Sequence, residues 1–102
     1  MTKVTIPDKV TSIGAKAFYG DKKLGSVTIG TGLTKIGKSA FEKCSKLKKI
    51  IISSTKIKTV GKKAFKGIEK KAQVKVPKKK VTDYKKKFRS AGLDKKAAVK
   101  KK

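Results

Sequence analysis

Histidine is absent from this chain of 102 residues, and cysteine occurs once, at Cys44. An internal disulfide is therefore excluded, and so is a zinc site of the usual Cys/His kind. A nucleophile activated by histidine is excluded with them. Acidic residues are scarce, 6 against 31 Lys and Arg, and the net charge is +25. Arginine is scarcer still, because Arg89 is the only one. Lysine is a hydrated point charge, whereas arginine supplies bidentate contacts to phosphates and base edges. This balance suits diffuse attraction to polyanions, or solubility, more than geometric readout. No stretch approaches the ~18 apolar residues of a membrane span. The segment Met1-Thr2-Lys3 leads straight into an alternating pattern, with no apolar core of a signal peptide. Met1 is open to being an initiator added to an excised fragment.

What the chain does have is a repeat. Val4, Ile6, Val10, Ile13, Gly14, Ala17, Phe18 and Leu24 return as Val27, Ile29, Leu33, Ile36, Gly37, Ala40, Phe41 and Leu47. They return again as Ile50, Ile52, Ile57, Val60, Gly61, Ala64 and Phe65, with one extra residue before Ile57. A fixed period of this size marks a solenoid. The fold expected is an α/β solenoid of one domain, 1–102, with repeats at about 4–26, 27–49 and 50–73 and a C-terminal cap at 74–102.

Each unit opens with β-branched residues at period two: Val4–Ile6, Val27–Ile29, Ile50–Ile52 and Val74–Val76. These read as short strands that align into a narrow parallel sheet. Their flanking side chains point to the core, and Thr5, Thr28, Ile51 and Lys75 face solvent. The next apolar pair of each unit forms a second extended piece. The glycine after it, Gly14, Gly37 or Gly61, points to positive φ or to close backbone approach. The Ala-Phe pair is expected inside a helical turn. Lys71 occupies the third unit's column of Leu24 and Leu47, with Ile68 in position to compensate.

Beyond Val76 the period breaks. After Pro77, Val81, Tyr84, Phe88 and Ala91 form one apolar face of a helix otherwise covered by lysine. Gly92 and Leu93 suit its C-terminal cap. Ala97–Val99 suits a short edge strand, and Lys100–Lys102 are expected to fray. The helix reads as a cap, since a solenoid end exposes core that an atypical unit must cover. The N-terminal end has none. It is expected to continue into further repeats or to contact another chain.

The segment Val4–Ile29, VTIPDKVTSIGAKAFYGDKKLGSVTI, resembles the BspA-like leucine-rich-repeat family, and Cys44-Ser45-Lys46-Leu47 matches the turn that ends its unit. Asp21 and Ile68 stand in the cysteine column of the other units. The resemblance covers about three units and implies a right-handed leucine-rich-repeat coil with short parallel strands and helical turns. It also implies a secreted or surface-displayed bacterial protein, with adhesion or host-protein binding as its work. It supplies no site motif to carry over.

Gly32-Leu33-Thr34-Lys35-Ile36-Gly37-Lys38-Ser39 fits G-x-x-x-x-G-K-[ST], the phosphate-binding P-loop. Leu33, Ile36 and Gly37, however, occupy repeat columns, and Lys38 and Ser39 align with Ala15 and Lys16 of the first unit. The match is better explained as a coincidence of the repeat. Cys44 reads either as a small core filler or as a thiol whose pKa Lys43 and Lys46 would lower. The carboxylates Asp8, Asp21, Glu42, Glu69, Asp83 and Asp94 are scattered, with no pairing that suits acid/base catalysis or a calcium cage. No catalytic residue, cofactor or metal is expected.

Lysine recurs at Lys22-Lys23, Lys48-Lys49, Lys62-Lys63 and Lys70-Lys71, and stacked units turn such columns into basic stripes. The expected contact surface is Thr5, Thr28, Ile51 and Lys75 with the flanking Lys48 and Lys49. Its partner is a host or bacterial surface protein, or an acidic polymer such as teichoic acid or an acidic polysaccharide. The alternative is nonspecific electrostatic binding of nucleic acid or another polyanion. The bland reading of the charge is solubility.

Overall fold

A computed structural model describes residues 2–102. Each unit contributes one strand to a parallel sheet: β1 (Thr2–Ile6), β3 (Leu24–Ile29), β5 (Lys49–Ile52) and β7 (Gln73–Val76). The last strand, β8 (Ala98–Lys101), adds to β7, giving the order β1-β3-β5-β7-β8. The second apolar pair of each unit forms a narrower parallel sheet of β2 (Ser12–Ile13), β4 (Lys35–Ile36) and β6 (Thr59–Val60). Stacked parallel strands with little helix make a solenoid-like arrangement.

The sequence columns become physical columns because register is preserved between units. Val27 lies beside Val4 and Ile50, and Ile29 beside Ile6 and Ile52. Val27, Ile29, Ile50, Ile52, Val74 and Val76 are buried, as period two demands of a sheet with one face on the core. Opposite them Phe18 stacks on Phe41 at 5.2 Å, Phe41 on Phe65 at 5.6 Å, and Phe88 meets Phe65 edge-on at 4.9 Å. Each such pair adds about 0.5–1.5 kcal/mol beyond burial of its surface.

The Ala-Phe segments do not form the expected helical turns. They are chains of three-residue turns, with Ala17 N–H donating to Gly14 C=O and Tyr19 N–H to Lys16 C=O. The left-handed φ of Lys16, Ser39 and Lys63, 58–62°, stops helix propagation in each unit. Their other N–H groups donate to the next unit instead, from Phe18 to Ala40 C=O and from Phe41 to Ala64 C=O. Inter-unit bonding thus replaces the intra-helix ladder.

In the second and third units the recurring glycine is explained by approach, not by φ, whereas Gly14 of the first unit has open space around it. A Cβ on Gly37 would lie 2.5 Å from Ala15 N, and one on Gly61 would lie 2.4 Å from Lys38 N. Neither residue has positive φ. In the third unit Lys71 is exposed, and Ala72 beside it is buried along with Ile68.

After Pro77 a 3₁₀ turn, Lys78–Lys80, leads into helix α1 (Val81–Ser90). Tyr84 and Phe88 are its buried residues, and Ala91 and Leu93 beyond it are buried too. Gly92, at φ 95°, donates to Arg89 C=O, and Leu93 N–H donates to Phe88 C=O. That pair of bonds is a Schellman ending. The segment therefore covers the far side of Phe65 with apolar surface. Lys100 and Lys101 do not fray, contrary to expectation. They lie in β8 beside Lys75 and Val76, and Lys102 N–H donates to Val76 C=O.

At the other end, Val4, Ile6, Val10 and Phe18 are only half-buried, whereas their counterparts Val27, Ile29, Leu33 and Phe41 are fully buried.

Candidate binding surface

The outward column of the large sheet runs unbroken through Thr5, Thr28, Ile51 and Lys75. Register extends it to Lys100, which lies beside Lys75. Thr5, Thr28 and Lys100 are exposed, while Ile51 and Lys75 are half-buried, so the two ends are more open than the middle. A second outward column runs through Lys3, Ser26, Lys49, Gln73 and Ala98. Lys49 thus sits on β5 itself. Lys48 sits one residue earlier, with its N–H donated to Gly25 C=O and its side chain exposed.

Reasoning from sequence missed Lys100 as part of this surface. Its signal was present in the alternation of Ala97, Ala98 and Val99, which places Val99 inward and Lys100 outward. Reasoning from sequence also missed the role of Asp8. Its carboxylate accepts the Thr31 N–H at 2.8 Å, across one full repeat.

The cations around the sheet have few counter-charges. Among the described residues the only ion pair is Lys87 with Asp83, at 2.8 Å on the surface of α1. That bond holds the Asp83 carboxyl below its ordinary range. Lys16 and Lys43 extend over the Tyr19 ring, 5.7 and 5.6 Å from its centre. Arg89 donates to the Ala97 carbonyl at 2.9 Å, so the single guanidinium ties the end of α1 to the approach to β8.

The P-loop-like segment is built as a repeat unit. Leu33 and Ile36 are fully buried, and β4 falls inside the motif. The N–H groups of Thr34, Gly37 and Ser39 donate to Thr11, Ile13 and Lys62 carbonyls. They are not free to converge on a phosphate. Ser39 is left-handed, and no helix follows it.

Cys44 is fully buried, and its thiol donates to the Phe18 carbonyl at 3.0 Å. Burial pushes its pKa up to about 11. The lysines beside it in sequence, Lys43 and Lys46, are exposed and do not lower it. The core-filler reading is therefore the one that fits, and the low-pKa reading is corrected by desolvation.

Among the described residues no group of three or more His, Cys, Asp or Glu side chains stands close enough to hold a metal ion. No helix is long and apolar enough to cross a membrane.

No curated protein and no solved structure matches the chain significantly. The BspA type leucine-rich repeat region matches residues 1–96. With register, buried columns and family match covering the same residues, this chain belongs to the BspA-type leucine-rich-repeat family.

Proposed function

We propose that this chain is a non-enzymatic repeat module that binds or adheres through its outward sheet face, and that it belongs to a secreted or surface-displayed bacterial protein. The observation that carries the reading is the unbroken outward column Thr5, Thr28, Ile51, Lys75 and Lys100, held in register by the parallel sheet. Extended repeated faces are how solenoids bind. Threonine and a half-buried isoleucine in the middle of a lysine-rich surface suit a protein partner, because interface cores are depleted of charge.

The reading treats the chain as one domain, with repeats at about 4–26, 27–49 and 50–73 and a cap at 74–102. It takes the winding as right-handed, as parallel strand crossovers almost always are. It assigns the half-buried Val4, Ile6, Val10 and Phe18 to a contact with a further repeat or another chain.

The test displays the chain on a non-adherent bacterium and measures attachment to surfaces coated with host or bacterial surface proteins. Attachment that Thr28→Glu and Ile51→Glu abolish, and that Thr82→Glu on α1 leaves intact, supports the reading. Attachment no better than that of the bare host cell, or equal loss in all three variants, refutes it.

A further inference from the structure

Where each unit turns into its first strand, and from there onto the outward sheet face, lysines from successive units line neighbouring hollows. Lys22, Lys23, Lys46 and Lys48, with Thr2 and Glu69, wall a trough of about 640 Å³. An adjoining hollow of about 340 Å³ is lined by Lys3, Ser26, Lys48 and Lys49, with Thr2 and Gly25. A third, of about 290 Å³, is lined by Lys48, Lys49, Lys71, Gln73 and Lys75. Lys48 borders all three, so the hollows neighbour one another, and together they make a trough that draws cations from three successive units.

Two properties suit this trough to an anionic ligand. Its charge is strongly positive, with eight lysines against Glu69 alone. None of its lysines forms an ion pair, and its one acid, Glu69, has an oxygen engaged by the Lys71 N–H. Its walls are mostly apolar, as lysine stems make them.

We infer that the trough binds a linear, acyclic polyol–phosphate diester laid along the stacking direction. The ligand is linear because the cations come from three successive units along the stacking direction. It is a phosphate polymer because ammonium groups are compact point charges with three donors each, suited to isolated tetrahedral anions. The planar, bidentate alternative is missing, since Arg89 is committed to the Ala97 carbonyl. The ligand is acyclic because no aromatic side chain lines the trough, and the exposed ring of Tyr19 lies under Lys16 and Lys43. Stacking of the kind that holds nucleobases on single-strand binders has no platform here. The carbon segments between phosphates fit the methylene walls, which a bare polyphosphate would leave uncovered.

The test uses the full chain and synthetic poly(glycerol phosphate) of two and eight units, read by calorimetry across a salt series. Heparin, oligo(dT) and inorganic polyphosphate of matched charge are the comparators. The eight-unit oligomer is expected to bind at least ~10-fold more tightly than the dimer and than each comparator, with an affinity that falls as salt rises. A K22Q/K46Q/K48Q/K49Q variant is expected to lose at least ~10-fold in affinity and to show a shallower salt slope. A K78Q/K79Q/K85Q/K86Q variant removes the same charge from the 3₁₀ turn and α1, and it is expected to lose no more than ~3-fold. All eight side chains are on the surface, and circular dichroism confirms that both variants fold. Equal losses in the two variants would mean that net charge alone binds, and the inference falls. A comparator that binds as tightly as the eight-unit oligomer overturns it as well.

Discussion

The Tyr84 hydroxyl donates to the Ser54 carbonyl at 2.8 Å and, at 3.1 Å, accepts the N–H of Ile57. Both bonds are buried, and they span the loop that carries the third unit's extra residue. Ser54 reinforces the loop, with its hydroxyl donating to the Leu33 carbonyl and accepting the Lys56 N–H. A side chain of α1 thereby satisfies backbone groups that the irregular unit leaves without a neighbour in the sheet.

Tyr84→Phe keeps the ring and removes both bonds. A buried N–H and a buried C=O then lack partners, and the expected cost is about 1–3 kcal/mol in urea unfolding. The two proteins should also differ in alkali. Burial raises the Tyr84 pKa, so its contribution is complete below the unfolded phenol's pKa of about 10 and is lost as pH rises through the folded value. Tyr84→Phe should lack that part of the alkaline destabilisation. An unchanged unfolding midpoint, or identical profiles above pH 10, would remove Tyr84 from this role.

Two backbone columns make opposite predictions. Gly61→Ala puts a Cβ 2.4 Å from backbone nitrogen, which only a shift between units can relieve. A loss of about 1–3 kcal/mol is expected, as for an overpacked site. Lys43, by contrast, sits at φ 63°, in the column where Gly20 and Gly67 adopt 70° and 82°. Lys43→Gly should be more stable than Lys43→Ala by about 1 kcal/mol, the strain of a left-handed residue that carries a Cβ. Comparing glycine with alanine cancels the lost charge. Equal melting temperatures for the two variants would show that the column carries no strain.

The columns that sequence exposed were those that repeat. Val27, Ile50 and Val74 announce the sheet, and Phe41 and Phe65 the aromatic stack, because one physical requirement recurs at a fixed interval. Features that occur once stayed hidden. Nothing in the spacing of Ser54 and Tyr84, thirty residues apart, marks them as partners. The left-handed Lys16, Ser39 and Lys63 were also invisible. They carry no glycine signal, and their conformation is set by bonds between units. The candidate surface was half legible for the same reason. Thr5, Thr28, Ile51 and Lys75 follow from period two, but Lys100 joins only because β8 pairs with β7.

Cys44 provides a probe of unit opening. Its thiol is buried and its pKa is raised to about 11, so the reactive thiolate is rare in the folded protein at pH 8. Iodoacetamide labelling at pH 8 should be slower than that of the urea-unfolded chain by at least ~100-fold and should accelerate with urea. Labelling at the unfolded rate in native buffer would show that the unit between β3 and β5 opens freely.

Charge predicts the remaining behaviour. A chain at +25 with 6 carboxylates has little internal neutralisation, and the one ion pair among its described residues lies on the surface. Stacking places lysines side by side, with Lys75 beside Lys100. Exposed like charges repel over a screening length of about 30 Å at 0.01 M salt and about 8 Å at 0.15 M. The melting temperature should therefore rise between those two ionic strengths. The Lys87–Asp83 pair acts in the opposite direction, because salt weakens it, but a single exposed pair contributes little against the summed repulsion. Acid should destabilise the protein on two counts. Protonating the carboxylates adds to the repulsion, and the stability that Asp83 gains from its lowered pKa is present above about pH 4 and lost as pH falls through the folded value. K48Q/K49Q should flatten the salt dependence at neutral pH, since it removes two neighbouring cations from the most crowded part of the surface. A melting temperature that is flat or falls with salt in the wild type would show that the lysine columns are not in mutual strain, and that their spacing already disperses the charge.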